Sequence, residues 1–146
     1  MENRSLARRI DATRARLERE LDAWVSTANS DRPWLVPLSF LWHDGKLLFG
    51  IDASAVTGWN IRASGRARVA LADAQDVVLI DGSATVEDLS QLADETAARY
   101  RAKHGSDLRD WATGLLVVTP TKVQAWRGEP ELEGKVVMRD GVWLTA

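Results

Sequence analysis

The chain has 146 residues, no cysteine, 19 Lys and Arg against 21 Asp and Glu, and seven tryptophans. That length suits one domain able to bury about two thirds of its unfolded surface, and the absence of cysteine excludes disulfides, thiolate metal sites and a cysteine nucleophile. A formal charge of -2 argues against a general electrostatic grip on nucleic acid. No apolar run approaches the ~18 residues of a membrane span. Met1 to Ile10 is polar and arginine-bearing with no apolar run behind it, so the expectation is a cytoplasmic protein with neither nucleic acid nor membrane as partner.

Leu6, Ile10, Thr13, Leu17, Leu21 and Trp24 recur at helical spacing, which predicts an amphipathic helix over residues 1–24 that lids the rest of the domain. Its arginines, interspersed with Asp11, Glu18, Glu20 and Asp22, read as a solvated outer face. Trp24 to Asn29 and Trp34 to Trp42 read as strands joined by a turn over Asn29 to Pro33. His43-Asp44-Gly45-Lys46 is a tight hairpin signal, because Asp-Gly tolerates positive φ, and Leu47 to Ile51 is the return strand. Ser54 then reads as the cap of a short helix carrying Val56, Trp59, Ile61 and Ala63 and ended by Gly65.

Ala67 to Ala72 and Asp76 to Val86 are the next strands, and Gly82 inside the second marks a bulge or bend. A helix follows from Leu89 to Lys103, opened by Asp88 with Gln91 and stopped by Gly105. Leu115 to Thr119, Thr121 to Arg127, Val136 to Arg139 and Val142 to Thr145 complete the strands, the last two around Asp140-Gly141. Closely spaced antiparallel strands with intervening helices make the chain α+β and mainly β, one domain over 1–146.

Conventional catalytic signatures are missing. His43 and His104 sit apart, in a turn and at a helix end, and read as surface histidines rather than metal ligands. There is no G-x-S-x-G, H-E-x-x-H, G-x-x-x-x-G-K or G-x-G-x-x-G. Asp73 and Asp76 read as solvated strand-end caps rather than an acid/base pair, and the Asn3-Arg4-Ser5 sequon has no consequence without an export signal. No side chain is therefore named as catalytic, and any chemistry falls to a cofactor.

Three stretches taken in order carry a resemblance: Trp34-Leu35-Val36-Pro37-Leu38-Ser39-Phe40-Leu41-Trp42, then Gly45-Lys46-Leu47-Leu48-Phe49, then Asn60-Ile61-Arg62-Ala63-Ser64-Gly65-Arg66-Ala67-Arg68-Val69-Ala70-Leu71. They resemble the front half of the pyridoxamine 5'-phosphate oxidase-like, FMN-binding split-barrel superfamily. Val77 to Ala84 resembles its bent strand. Val123-Gln124-Ala125-Trp126-Arg127 resembles a late strand of the actinobacterial branch that uses the deazaflavin coenzyme F420.

The resemblance implies a six-stranded antiparallel split β-barrel with flanking helices, assembled as a homodimer with two cofactor sites at the subunit interface. It places Val36, Pro37, Leu38 and Ser39 at the ring of coenzyme F420 or FMN and counts Ile51 among the cofactor-binding residues. Ser54, Thr57, Trp59 and Asn60 lie at the phosphate-holding helix, where unpaired amides favour an anion, with Arg62 or Arg66 adding positive field. Ser54 and Thr57 are equally readable as helix caps, and Trp59 as a stacking platform or as a core or dimer anchor. Trp126 and Arg127 read as contributions from the partner subunit or as interface packing.

One departure concerns the residues before Asn60, where relatives usually carry Arg or Lys and this chain has Val56-Thr57-Gly58-Trp59. Losing a charge-assisted pair weakens anion binding by about 1.5 to 3 kcal/mol. The implied activity is a deazaflavin-dependent reductase passing a hydride to a small conjugated substrate. The alternatives are an FMN-dependent oxidoreductase and a non-catalytic binder of flavin, haem or another planar ligand.

Overall fold

The computed structural model describes residues 3–145. Helix α1, Leu6–Arg19, is followed by strands β1, Asp22–Asn29, β2, Arg32–His43, and β3, Lys46–Ile51. Helix α2, Val56–Ser64, leads to β4, Arg66–Leu71, and β5, Val77–Glu87. Helix α3, Asp94–His104, precedes the long β6, Gly114–Trp126, and the short hairpin of β7, Val136–Arg139, and β8, Val142–Trp143.

All pairings are antiparallel, in the order β3-β2-β1-β4-β5-β6, and β6 returns to β3, closing a six-stranded barrel. Strand β6 serves two partners in succession. Its first half pairs with β3, from Leu47↔Val118 to Ile51↔Gly114, and its second half pairs with β7. The fold is thus the α+β, mainly β barrel with three helices that the strand spacing and the resemblance led us to expect.

Period-2 alternation turns Val25, Phe40, Phe49, Val69, Ile80, Leu116 and Val118 into the barrel interior, where each is 0 % exposed. Ile10 and Leu17 of α1 and Ile61 of α2 join this cluster from outside the sheet. Burial of each such side chain stabilises by about 1.5–3 kcal/mol. A second cluster, with Leu41, Leu48, Tyr100, Leu108 and Leu115, seats α3 on the outside of β2, β3 and β6.

Several local readings change. Helix α1 stops at Arg19, and Leu21 and Trp24 stand exposed outside it, because Trp24 belongs to the alternation of β1 rather than to a helical stripe. The arginines of the first segment are not all solvated: Arg4, Arg9 and Arg16 are buried. Their guanidiniums are neutralised or bonded, Arg4 by Glu131 at 2.8 Å, Arg16 by Glu20 and by the Asp76 carbonyl at 2.6 Å, and Arg9 by the Gly134 carbonyl at 2.7 Å. Long aliphatic stems let charged heads cross an apolar seam to reach such partners. Asp76 is accordingly a hub for Arg4, Arg16 and Arg127, not a solvated cap.

The Asn29 to Pro33 turn contracts to Ser30-Asp31, since Asn29 already pairs with Arg32. Both Asp-Gly turns form with positive φ at both residues, 51° and 71° at Asp44-Gly45 and 51° and 76° at Asp140-Gly141. The helix expected over Leu89 to Lys103 breaks into a 3-10 turn, Leu89–Gln91, capped by Asp88, and then α3. Pro120 does not end a strand. The register of β5 against β6 shifts between Asp81 and Gly82, leaving Thr121 unpaired beside Pro120, so the missing N–H falls at a bulge. Gly82 is required there, because a Cβ would lie 2.6 Å from the Thr119 carbonyl oxygen.

His43 and His104 are half-buried and engaged, His43 Nε2 lying 3.4 Å from Thr96 Oγ1 and His104 Nε2 2.8 Å from the Phe40 carbonyl oxygen. Among the described residues no cluster of His, Asp and Glu could hold a metal ion, and no helix is long and apolar enough to cross a membrane.

Candidate functional site

The tip of the β1–β2 hairpin stands over α2, leaving a cleft of about 510 Å³ lined by Asn29, Arg32, Pro33, Trp34, Val56, Trp59 and Asn60. This is within the size range of small-molecule sites. Its walls are two indoles. Trp34 donates from Nε1 to Thr57 Oγ1 at 3.2 Å, and Trp59, 65 % exposed, donates from Nε1 to the Ser54 carbonyl at 3.2 Å. Each ring is therefore held by its polar end while its apolar faces remain available.

Asn60 forms the floor. It is 1 % exposed, its Nδ2 donates to Thr27 Oγ1 at 3.1 Å, and its Oδ1 has no hydrogen-bond partner among the described residues. A buried carbonyl oxygen without a donor costs about 1–3 kcal/mol. The oxygen is closed off from the open cleft, so a ligand N–H relieves that cost only when the Asn60 side chain shifts toward it.

The entry of α2 departs from the expected phosphate cradle. Its cap position is Ala55, with no side-chain cap, so neither Ser54 nor Thr57 caps the helix. Ser54 is folded back onto Asp52, its amide and hydroxyl donating to Asp52 Oδ1 at 2.9 and 2.7 Å. These bonds, the hydroxyl first, hold the Asp52 carboxyl below the usual carboxylate range. A short side chain that satisfies a local carboxylate in a tight turn is unavailable as a cap.

The cation missing from the sequence before Asn60 arrives from behind it. Arg62 reaches back along the helix, and its Nη1 donates to the Ala53 carbonyl at 2.7 Å. Gly58, four residues earlier, clears the lane: a Cβ there would lie 2.6 Å from the Ala53 oxygen and 3.4 Å from Arg62 Nη1. The helix entry thus carries one exposed guanidinium and one carboxylate, a balance suited to a singly charged anion and poorly suited to a phosphate dianion.

The other expected site residues are dispersed. Val36 and Leu38 are half-buried and pack against the barrel core, Pro37 is exposed on the opposite face, and Ser39 donates to Asp22 Oδ1 at 2.7 Å. Ile51, 5 % exposed, is a core residue whose carbonyl accepts from Thr113. Trp126 lies at the far end of β5 and β6, opposite Val77, with the Lys135 ammonium 5.1 Å from its ring centroid. Arg127 is committed to Asp76 at 3.2 Å. Within one chain the structure therefore joins Thr57, Trp59, Asn60 and Arg62 and leaves Trp126 and Arg127 outside. Of the cleft lining, Asn29, Arg32, Pro33, Trp34 and Val56 were not among the expected site residues. The signal was Trp34's place two and four residues before Val36 and Leu38, on one strand face.

A second groove of about 710 Å³ meets the first at Pro33 and contains Ser26, Ser64, Arg66, Arg68, Ser83 and Thr121. Arg68 is paired with Asp81 at 2.6 Å.

Among solved structures the fold is similar to General Stress Protein 26 of Bacillus anthracis, at 16 % identity and a TM-score of 0.62 over 82 % of this chain and 94 % of that one. It is also similar to HutZ, the heme storage protein of Vibrio cholerae, at 15 % identity and a TM-score of 0.65 over 80 % and 92 % of the two chains. A NimC/NimA family protein of Clostridium acetobutylicum superimposes at 12 % identity and a TM-score of 0.63, over 84 % and 89 %. No curated protein matches the sequence. The family model for pyridoxamine 5'-phosphate oxidase matches residues 10–127, which span the barrel from α1 to the end of β6 and include every residue of the cleft. With that match and the closed barrel together, the chain belongs to the pyridoxamine 5'-phosphate oxidase family.

Proposed function

We propose that the chain is a cytoplasmic oxidoreductase that holds a flavin-type ring in the cleft of Trp34 and Trp59, and that its cofactor is the deazaflavin coenzyme F420. The observation that carries this reading is the orphaned Asn60 Oδ1 between two indoles, beside a helix entry of nearly balanced charge. The uracil-like edge of such a ring offers an N–H to Asn60, and its apolar faces meet the indoles. The phosphodiester group next to the ring of F420 carries one charge and suits Arg62 opposite Asp52, whereas the phosphomonoester of FMN meets Asp52 with close to two.

When bound, the ring supplies the hydride. The protein's part is to fix the ring through Trp34, Trp59 and Asn60, to exclude water from the side facing α2, and to leave the other side open to a small conjugated substrate. The proton comes from solvent, consistent with a cleft lining that holds no carboxylate or histidine.

That same lining favours a second reading, a carrier that binds a flat ligand without turnover. It offers no His, Met or Tyr to ligate iron, so the carrier reading applies to a flavin more readily than to haem, although HutZ of Vibrio cholerae is a heme storage protein.

The working unit in this proposal is a homodimer. On the outer barrel face, Pro37, Trp24, Ala70, Leu79 and Gln124 form one row across five strands, and Leu35, 59 % exposed, sits beside it. A second copy of the chain covers such a row and brings Trp126 toward a partner's cleft.

The test is a fluorescence and absorbance titration with oxidised F420 and with FMN, followed by turnover of reduced F420 with quinones and enones. Saturable F420 binding with FMN weaker by about tenfold or more is expected. Binding without turnover selects the carrier, and silence with both cofactors overturns the reading.

A further inference from the structure

The carboxyl-terminal hairpin and α1 enclose an open pocket of about 460 Å³, lined by Leu6, Arg9, Leu132, Gly134, Lys135, Val136, Arg139 and Leu144. All of these lie outside residues 10–127, the stretch that the family model matches. Three of the lining residues are cationic and none is acidic. Glu131, on the adjacent 3-10 turn, is 0 % exposed and consumed by Arg4 and by the Arg127 amide.

Arg9 is the distinctive member. It is 6 % exposed, its Nη1 donates to the Gly134 carbonyl, and its Nε is buried with no hydrogen-bond partner among the described residues. Arg4 and Arg68 grip Glu131 and Asp81 through the Nε and Nη2 edge of the guanidinium. In Arg9 that edge makes no hydrogen bond among the described residues. Once a shift of the side chain uncovers Nε, a guanidinium edge of this kind matches a carboxylate bidentately. The remaining walls, Leu6, Leu132, Val136 and Leu144, are aliphatic, and Leu132 is 44 % exposed. Lys135 and Arg139 stand at the rim.

We propose that this pocket binds an organic carboxylate with an aliphatic chain, its carboxylate on Arg9 and its chain against Leu6, Leu132 and Leu144. Two features require that class together. A bare anion leaves the leucines exposed, and an uncharged chain leaves the Arg9 edge unpaired. The Lys135 ammonium over Trp126 makes that indole a reporter of occupancy.

The experiment is calorimetric titration of the full chain with decanoate, alongside decanol, acetate and inorganic phosphate, with Trp126 fluorescence in parallel. Decanoate is expected to saturate with one site per chain, and each of the other three to bind weaker by about tenfold or more. The double variant K135Q/R139Q, changed only at the rim, and R9K, which keeps the charge and removes the fork, are each expected to lose about tenfold. If R9K fails to fold, the rim variant decides. No saturation by decanoate, equal binding of phosphate, or undiminished affinity in K135Q/R139Q overturns the proposal.

Discussion

Replacing Glu131 by Gln isolates the ion pair that anchors the amino-terminal segment to the turn after β6. Glu131 is fully buried and accepts from the Arg4 amide, from Arg4 Nε and Nη2, and from the Arg127 amide. These bonds, the Arg4 side chain first, hold its carboxyl at about 2 against an ordinary 4.5. At about 1.4 kcal/mol per pKa unit, the charged form contributes about 3 kcal/mol to folding. Removing one partner of a buried pair costs about 3–5 kcal/mol by independent measurements on other proteins, so the two routes agree. Because the folded-state pKa is depressed, the contribution is complete above pH 4.5 and is lost as the pH falls toward 2. Urea denaturation at constant m is expected to show E131Q less stable by about 3 kcal/mol at pH 7, equivalent to a loss of ~10 °C in Tm. The gap is expected to narrow below pH 4.5, to about 1.4 kcal/mol at pH 3, and nearly to close at pH 2. A variant within about 1 kcal/mol of the wild type at pH 7, or with the same acid slope, refutes the reasoning.

Two further outcomes follow from particular side chains. Lys103 Nζ is buried without a hydrogen-bond partner among the described residues, 4.1 Å from the Phe40 ring centroid, and burial lowers its pKa against the opposing pull of Glu18, Asp22 and Glu20. K103M is expected to match or exceed wild-type stability at pH 7, and its advantage to shrink as the pH rises toward 10.5, because the wild-type chain no longer holds a buried charge there. A loss of more than about 1 kcal/mol at pH 7 instead assigns the site to the cation–π contact. D52N keeps the acceptor that Ser54 uses and removes the charge, so cofactor affinity is expected to rise, and more for FMN than for F420. Unchanged titration curves contradict the placement of the anionic tail at α2.

The barrel was readable in the sequence because its information is local. Alternation set the strand faces, and Asp44-Gly45 and Asp140-Gly141 set two turns, all independent of distant partners. Gly82 announced its bulge as an isolated glycine in a strand run, and the structure places the Thr119 carbonyl where a side chain at that position would stand. The amino-terminal arginines misled because burial of Arg4, Arg9 and Arg16 depends on Glu131, Asp76 and Gly134, which are more than fifty residues away. In the cleft, Thr57, Trp59 and Asn60 were legible as one helix. Two features were not: Ser54 turned to Asp52, and Arg62 supplied the missing cation across Gly58. Both are side-chain choices between a helix end and a nearer competitor, and a residue pattern does not decide them.

The most direct test of the central claim is a crystal structure of the chain grown with coenzyme F420. The account expects the ring in the cleft with an edge N–H on Asn60 Oδ1, an indole of Trp34 or Trp59 against its face, and the tail beside Arg62. A ring bound elsewhere, with Asn60 Oδ1 still unpartnered and the cleft empty, contradicts it.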